Sequence, residues 1–142
     1  MTIQVNKTDQ YAVIEILNVS DGTAKTDVTS ATSGLTIKYQ VNNASIVDIT
    51  TPASMSAGGA HVAGGIYHMG DGQYRIGLPD AALTTLGKLR VWTELTDTKC
   101  VADMIPVVAY DPLTKLVQYG ESARYTNDTD SSTEDVTITE PS

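Results

Sequence analysis

The sequence is poor in the residues on which most reactive sites depend. Its 142 residues include a single cysteine, two histidines, one tryptophan and no phenylalanine. One cysteine, Cys100, excludes an internal disulfide, and no Cys-x-x-Cys pair is present to hold zinc. The histidines, His61 and His68, lack the close spacing that pairs of metal ligands use.

Basic residues are also scarce. Nine Lys and Arg stand against 17 Asp and Glu, which gives a formal net charge of -8 and an isoelectric point near 4.4. A chain of this charge repels phosphate backbones and anionic bilayers. We therefore expect neither nucleic acid nor a membrane as a partner.

Long apolar runs are missing as well. No stretch approaches about 18 continuous apolar residues, and the first residues lack a basic region followed by an apolar segment. We expect a soluble chain made without Sec-type export. The apolar residues that are present, 41% of the chain, are supplied mainly by Val, Ile, Leu, Ala and seven Tyr, a composition typical of half-buried strands.

The sequence does contain a series of short alternating segments separated by turn residues. In GLTIKYQV, Leu35, Ile37, Tyr39 and Val41 fall on one face and polar residues on the other, as expected of a strand with one wet face. Further strands are predicted in YAVIEIL, ASIVDIT, KLRVWTEL and CVADMIPVVAY. Pro106 makes the last of these an edge strand or a bulged one.

The segment GGIYHMGDGQYRIGLPDAALTTLG combines several turn signals. GIYHM and QYRIGLP flank the turn GDG and predict a hairpin, in which Tyr74, Ile76 and Leu78 share one face. PDAALTTLG predicts one helical turn with Gly87 as its C-terminal cap. The glycine-rich TPASMSAGGAHVAGG before the hairpin predicts a loop.

Together these segments predict an all-β protein, an antiparallel immunoglobulin-like β-sandwich with one short helical turn and extended terminal arms. We divide the chain into an N-terminal arm (1–9), a β-sandwich domain (10–112), a connector (113–125) and an acidic, flexible C-terminal arm (126–142). The last 18 residues, Tyr125 to Ser142, contain five acids and no base, and they are too polar to form a core alone.

Both arms contain a short alternating segment, TIQV near the N-terminus and DVTIT near the C-terminus. Such segments can add to the sheet edges of neighbouring subunits and gain main-chain hydrogen bonds on assembly. The residues predicted to interact in this way are Ile3, Val5, Val136 and Ile138.

The candidate reactive groups lack the arrangement that chemistry needs. His61, His68, Asp71, Cys100 and Asp103 are scattered, and no two acids are marked as a catalytic pair. No glycine-flanked nucleophile surrounds Cys100, which fits a small buried residue better. GDGQY joins two strands, unlike a phosphate-binding loop that leads into a helix. The sequence therefore predicts no enzyme, no metal and no cofactor.

Three aromatic residues leave two interpretations open. Tyr67, Tyr74 and Trp92 could form an exposed platform for a carbohydrate or a host receptor, with the glycine-rich loop beside it. They could also pack in the core and at its rim, which is the more frequent role of aromatic residues in strands. We favour packing and keep the binding platform as the alternative.

The segments GLTIKYQ, IVDIT, AHVAGGIYHMGDGQYRIGLPDAALTTLGKLRVWTEL and IPVVAYDP form an ordered series over residues 10–112. This series resembles a recurring β-domain of tailed-bacteriophage and prophage virion proteins, whose members show a GLT strand, an H.DGG loop, a G.YR..LPDAA element and a closing AYDP. HVAGG at residues 61–65 departs from the acidic H.DGG form. The chain also ends soon after AYDP, which favours a self-contained accessory subunit over a module of a long fibre.

The resemblance implies a structural role in a virion assembled in the bacterial host cytoplasm. We expect a capsid decoration or cement protein that binds an assembled lattice through its surface and terminal arms. A neck, tail or baseplate component is the alternative within this class. The implied partners are the major capsid protein or tail and neck subunits, and further copies of the chain in a symmetric homo-oligomer or lattice.

Overall fold

The computed structural model describes residues 2–109. Residues 110–112 of the predicted sandwich domain, the connector and the C-terminal arm lie outside the described residues. Within residues 2–109 the chain forms ten strands and one 3₁₀ turn. In order they are β1 (Ile3–Gln4), β2 (Tyr11–Asn18), β3 (Thr36–Val41), β4 (Val47–Ile49), β5 (Ala53–Ser54), β6 (Gly65–Gly70), β7 (Gln73–Gly77), the 3₁₀ turn (Asp80–Leu83), β8 (Gly87–Glu94), β9 (Thr98–Val101) and β10 (Asp103–Val108).

The ten strands form two sheets packed against each other. Sheet I has the order β1-β10-β8-β3-β4, and sheet II has the order β5-β6-β7-β2-β9. The run β10-β8-β3-β4 corresponds to the G-F-C-C′ order of an immunoglobulin variable-type sheet, and β2-β7-β6 corresponds to B-E-D. The predicted all-β sandwich is therefore confirmed. Pairing is mainly antiparallel, but β1 with β10 and β5 with β6 pair in parallel, so both sheets are mixed.

The core lies between the sheets and is filled by the inward residues of the alternating segments. In β3 and just before it, Leu35, Ile37 and Tyr39 are buried as predicted, and Val41 packs against their cluster. Each fully buried aliphatic side chain stabilises the fold by about 1.5–3 kcal/mol relative to an exposed one. Members of the core from other strands include Ile14, Ile16, Ile76, Leu89, Val91 and Ile105.

The predicted hairpin and helical turn are both present. β6 and β7 are joined by Asp71 and Gly72, whose φ angles of 53° and 78° fit a tight two-residue hairpin turn. Pro79 precedes the 3₁₀ turn, in which Ala82 and Leu83 are fully buried. These two side chains hold the connection between β7 of sheet II and β8 of sheet I against the core.

The predicted cap role of Gly87 is wrong. The 3₁₀ turn is capped at Thr84, and Gly87 opens β8 with a φ of 131°. The side-chain amide of Asn42 lies against Gly87, in the space that a Cβ would need. That amide accepts from the Lys88 N–H at 2.9 Å and donates to the Leu86 carbonyl at 3.0 Å. Glycine is therefore required by this close approach and by its positive φ.

Two further predictions need correction. The glycine-rich segment predicted as a loop contains β5, whose two residues pair with Gly65 and Ile66, and Met55 directly after it is buried. The segment CVADMIPVVAY is not one strand, since β9 lies in sheet II and β10 lies in sheet I. Pro106 does lie on an open edge, because β1 pairs only with Val107 and Val108 of β10.

The N-terminal segment is not a free arm within the described residues. Ile3 pairs with Val107, its side chain is buried in the core, and the Val5 N–H donates to the Val108 carbonyl at 2.8 Å. β1 is therefore the edge of the domain's own sheet I. The expectation that residues 1–9 stand apart from the sandwich, free to pair with a neighbour, is corrected by this burial.

Candidate interaction surfaces

Tyr74, a candidate interaction residue in the binding-platform alternative, is a core residue, as the packing interpretation expects. Its side chain is 0% exposed, its hydroxyl donates to the Lys25 carbonyl at 2.7 Å, and it accepts from the Val28 N–H at 3.2 Å. Burial raises the pKa of the Tyr74 phenol, partly offset by the hydrogen bond from Val28. The ring of His68 lies 4.8 Å from that of Tyr74, so this histidine packs at the end of the core. Tyr74 therefore fixes the β2–β3 connection to the hairpin.

Trp92 lies on the outer face of sheet I and is largely covered. It is 9% exposed and is not part of the central core cluster. The guanidinium carbon of Arg90 lies 4.3 Å from the Trp92 ring centroid, a cation–π contact. Lys38, the cross-strand neighbour of Trp92, lies 3.3 Å from Asp48 and 3.4 Å from Glu94, and the hydrogen bond to Asp48 raises the pKa of the Lys38 ammonium. Charged side chains thus surround the indole.

Tyr67 lies on the outer face of sheet II, where it pairs with Arg75 of β7. The Arg75 guanidinium carbon lies 4.9 Å from the ring centroid of Tyr11, and the His61 ring lies 5.1 Å from that of Tyr11, edge to face. His61 is held by a 3.0 Å contact between Nε2 and the Gln10 carbonyl. We call Tyr11, His61, Tyr67 and Arg75 the sheet II cluster. The structure therefore does not bring Tyr67, Tyr74 and Trp92 together.

The sheet II cluster was not predicted from the sequence, because His61 reaches it from a loop that has no periodic pattern. Two of its four residues follow from the sequence pattern, since the alternation of β2 and β7 places Tyr11 and Arg75 on the solvent-facing side of their strands. Of the other predicted interaction residues, Ile3 is in the core and Val5 packs against it. Val136 and Ile138 lie outside the described residues.

The candidate reactive groups remain apart in the described part of the chain. No three His, Cys, Asp or Glu side chains of residues 2–109 lie close enough to hold a metal ion together. The Sγ atom of Cys100 accepts from the Thr93 N–H at 3.4 Å, and the side chain packs against the core. Asp103 accepts a hydrogen bond from the Val13 N–H at 3.0 Å. These contacts give both residues a structural role.

One edge of sheet II is open over part of its length. β5 pairs with β6 only at Gly65 and Ile66, and no strand of residues 2–109 continues along β6 beyond that point. We call the main chain of Tyr67–Gly70 on this side the β6 edge. Met69 at this edge is exposed, and no proline or lysine occurs in the segment to discourage pairing.

A cavity of about 240 Å³ adjoins the β6 edge. Its walls are residues 28–30 of the β2–β3 connection, Ser54 and Met55 at the end of β5, and residues 66–68 of β6. We call it the edge cavity. Val28, Met55 and Ile66 give it an apolar lining, and the Tyr74 hydroxyl holds the Val28 wall in place.

Val101 is exposed in β9, the other edge strand of sheet II, and further exposed apolar side chains lie at β4, an edge strand of sheet I. Val47 and the preceding Ile46 are exposed there, and β4 pairs only with β3.

No helix in residues 2–109 is long and apolar enough to cross a membrane. No family model, curated protein or solved structure matches the chain.

Proposed function

We propose that this chain is a non-enzymatic structural protein of a tailed-bacteriophage particle, a decoration or cement subunit that binds an assembled capsid lattice. The observation that carries the proposal is the surface of the sandwich, which offers strand edges with exposed apolar side chains at β4 and β6. Open edges of this kind accept strands from partners. The partners in this role are the major capsid protein and further copies of the chain.

The residues behind the phage resemblance support the proposal because they are architectural. Leu78, Ala82 and Leu83 of the LPDAAL element are buried, and Tyr74 of the preceding strand makes two buried hydrogen bonds. Proteins that share a fold need the same core and turn residues, and a motif made of such residues points to no catalytic function. A recurring structural domain fits such a motif better than an enzyme family does.

The test is the copy number of the protein in purified particles of the phage that encodes it, measured by quantitative mass spectrometry against the major capsid protein. Hundreds of copies per particle are expected for a decoration protein. A handful or a dozen would instead place it at the neck, tail or baseplate, the alternative within the class. Its absence from particles that are fully infectious would overturn the virion role.

A second experiment tests the C-terminal arm. Deleting residues 126–142 should leave the circular dichroism spectrum of the sandwich unchanged while lowering occupancy on particles. A full-length variant with Thr→Ser changes in the arm serves as the matched control, since it keeps length and charge. Unchanged occupancy after the deletion would contradict a role of the arm in particle binding.

The sheet II cluster favours a second candidate function, a carbohydrate- or host-receptor-binding module. Tyr67 is the cross-strand neighbour of Arg75, whose guanidinium lies over the Tyr11 ring, and sugar rings stack on aromatic side chains of this kind. If the chain has this function, it should bind saturably to a glycan array, and Tyr67→Ala should abolish the binding. Tyr39→Phe, a change on the core side of sheet I, should leave the binding unchanged. Absence of binding at every glycan would remove it.

A further inference from the structure

The main-chain groups of β6 show where an additional strand would pair. The Ala53 N–H donates to the Gly64 carbonyl at 3.0 Å, and the parallel pairing of Ala53 with Gly65 places the main chain of Ile66 on the β5 side. Because these groups alternate along a strand, Tyr67 then faces β7 and His68 faces the open side. The His68 N–H and carbonyl thus lie at the β6 edge, just beyond the last residue that β5 covers.

The edge cavity lies beside these groups. Residues 56–60 after Met55 are exposed, so the chain leaves the line of β5. The space that continues this line along β6 is the edge cavity, about 240 Å³ and lined by Val28, Met55 and Ile66. A site of this size accommodates one or two aliphatic side chains, given that an apolar cavity of about 150 Å³ holds a benzene molecule.

An added strand therefore needs a defined pattern. Its alternate residues must be aliphatic, because they face the edge cavity, while the residues between them face solvent and can be polar. It must also contain no proline at the paired positions, since each N–H is needed for the ladder. β-Branched residues fit such a position best.

The chain contains one unassigned segment with this pattern. In Asp135-Val136-Thr137-Ile138-Thr139, aliphatic and threonine residues alternate, four of the five are β-branched, and no proline interrupts them. The similar N-terminal segment is already paired within its own domain, because Ile3 is buried and pairs with β10. Residues 110–134, between the sandwich and this segment, can span at most about 80–90 Å. A domain of this size has a radius of gyration of about 13 Å, so the connecting residues are long enough for the segment to reach a neighbouring copy.

We propose that residues 135–139 of a second copy of the chain add as a strand to the β6 edge, with Val136 and Ile138 in the edge cavity. The main chain of His68 pairs with the incoming segment, and the side chains of Thr137 and Thr139 face solvent. The inference extends the proposed virion function, because it names the contact through which copies join. It differs from that function in requiring no particle.

The test uses the full-length chain and amide hydrogen exchange measured by NMR. Val136→Asp/Ile138→Asp places charge in the edge cavity, whereas Thr137→Asp/Thr139→Asp adds the same charge on the solvent face of the same segment. At high protein concentration we expect the first variant to speed exchange of the His68 amide about tenfold, while the control leaves it near the wild-type rate. Exchange of the Val91 amide in β8 monitors global stability and should not change.

Sedimentation of the same three proteins tests that the segment comes from a second copy. Wild type and the control should self-associate at high concentration, and Val136→Asp/Ile138→Asp should remain monomeric. Protection of His68 that persists in a monomeric chain would overturn pairing between copies. Equal exchange rates in both variants, or a response at β4 and not at β6, would overturn the site itself.

Failure of this inference is distinguishable from failure of the virion role. If the exchange test fails but the protein is found in particles at high copy number, the lattice is held by another surface. If the exchange test succeeds and particles lack the protein, the edge mediates self-association outside a virion.

Discussion

Replacing Tyr74 by phenylalanine removes a single buried oxygen from the contact between β7 and the β2–β3 connection. In the wild-type structure that oxygen donates to the Lys25 carbonyl at 2.7 Å and accepts from the Val28 N–H at 3.2 Å. Val28 is buried, and the substitution removes the oxygen to which its N–H donates. The phenylalanine ring fills the same space, and packing is preserved.

The expected loss follows from these two hydrogen bonds. Each contributes about 1 kcal/mol net, and a buried N–H left without a partner costs about 1–3 kcal/mol. We therefore expect Tyr74→Phe to lower the free energy of unfolding by about 2–3 kcal/mol, a large share of the roughly 5–15 kcal/mol of a typical domain. The midpoint of thermal unfolding should fall by roughly 10 °C.

Urea denaturation followed by tryptophan fluorescence measures this loss, with Trp92 as the reporter. The matched control is Tyr39→Phe, since Tyr39 is also buried but its hydroxyl has no hydrogen bond within residues 2–109. Exchange of the Val28 amide should rise in Tyr74→Phe alone. A loss no larger than that of the control would refute the account of Tyr74 as the anchor of the β2–β3 connection.

Three further predictions concern the core and its turns. Thr93→Val should raise the free energy of unfolding by about 1 kcal/mol in urea denaturation, because the buried Thr93 Oγ1 has no hydrogen-bond partner in the described part of the chain; destabilisation would show that the hydroxyl is satisfied. Gly87→Ala should cost at least about 2 kcal/mol, and part of this cost should disappear in an Asn42→Ala background if collision with the Asn42 amide is the cause; strict additivity would exclude that cause. Burial raises the pKa of Tyr74, so the folded state favours the protonated phenol. The contribution of this phenol to the free energy of unfolding is therefore complete below the usual tyrosine pKa near 10, and it is lost as the pH rises through the pKa of the folded state. Stability measured across this alkaline range should therefore fall more steeply in wild type than in Tyr74→Phe, and parallel curves would contradict the burial of the phenol.

The parts of the fold that sequence reasoning predicted are those with local signals. The alternation of Ile37 and Tyr39 with polar residues marks β3, and the Asp71-Gly72 pair marks the hairpin, because a period of two and a positive φ are properties of a few adjacent residues. The helical turn after Pro79 was found for the same reason. Its end was misplaced, because the role of Gly87 is set by Asn42, a residue 45 positions away in the sequence.

The errors lie where long-range contacts decide the structure. The segment TIQV was recognised as alternating, but its partner was wrong, because β1 pairs with the distant Val107 and Val108 of the same domain. The run around Ala102 is divided between the two sheets, where the Asp103 carboxylate accepts from the Val13 N–H. Neither contact is visible in local patterning.

The candidate surfaces were predicted less well than the fold. Tyr74 shares a strand face with the core residue Ile76, a pattern that separates it from Tyr67 but was not used to remove it from the possible platform. Trp92 falls on the opposite face of its strand from Val91, and its cover by Arg90 depends on side-chain conformation. The β6 edge could not be inferred, since it exists because β5 has only two residues and then leaves the sheet.

The parallel pairing of β1 with β10 determines how the domain responds to tension. Because the two strands run in the same direction, their outer ends point to opposite ends of the sheet edge, and a pull between residues 2 and 109 acts along the strands. The hydrogen bonds at Val107 and Val108 are then strained together in shear and do not open one after another. Ile3 must also leave the core before β1 can slide. Mechanical resistance of the domain is thus concentrated in β1 and the adjoining Val5, whose contacts with β10 must break before force reaches the rest of the sandwich.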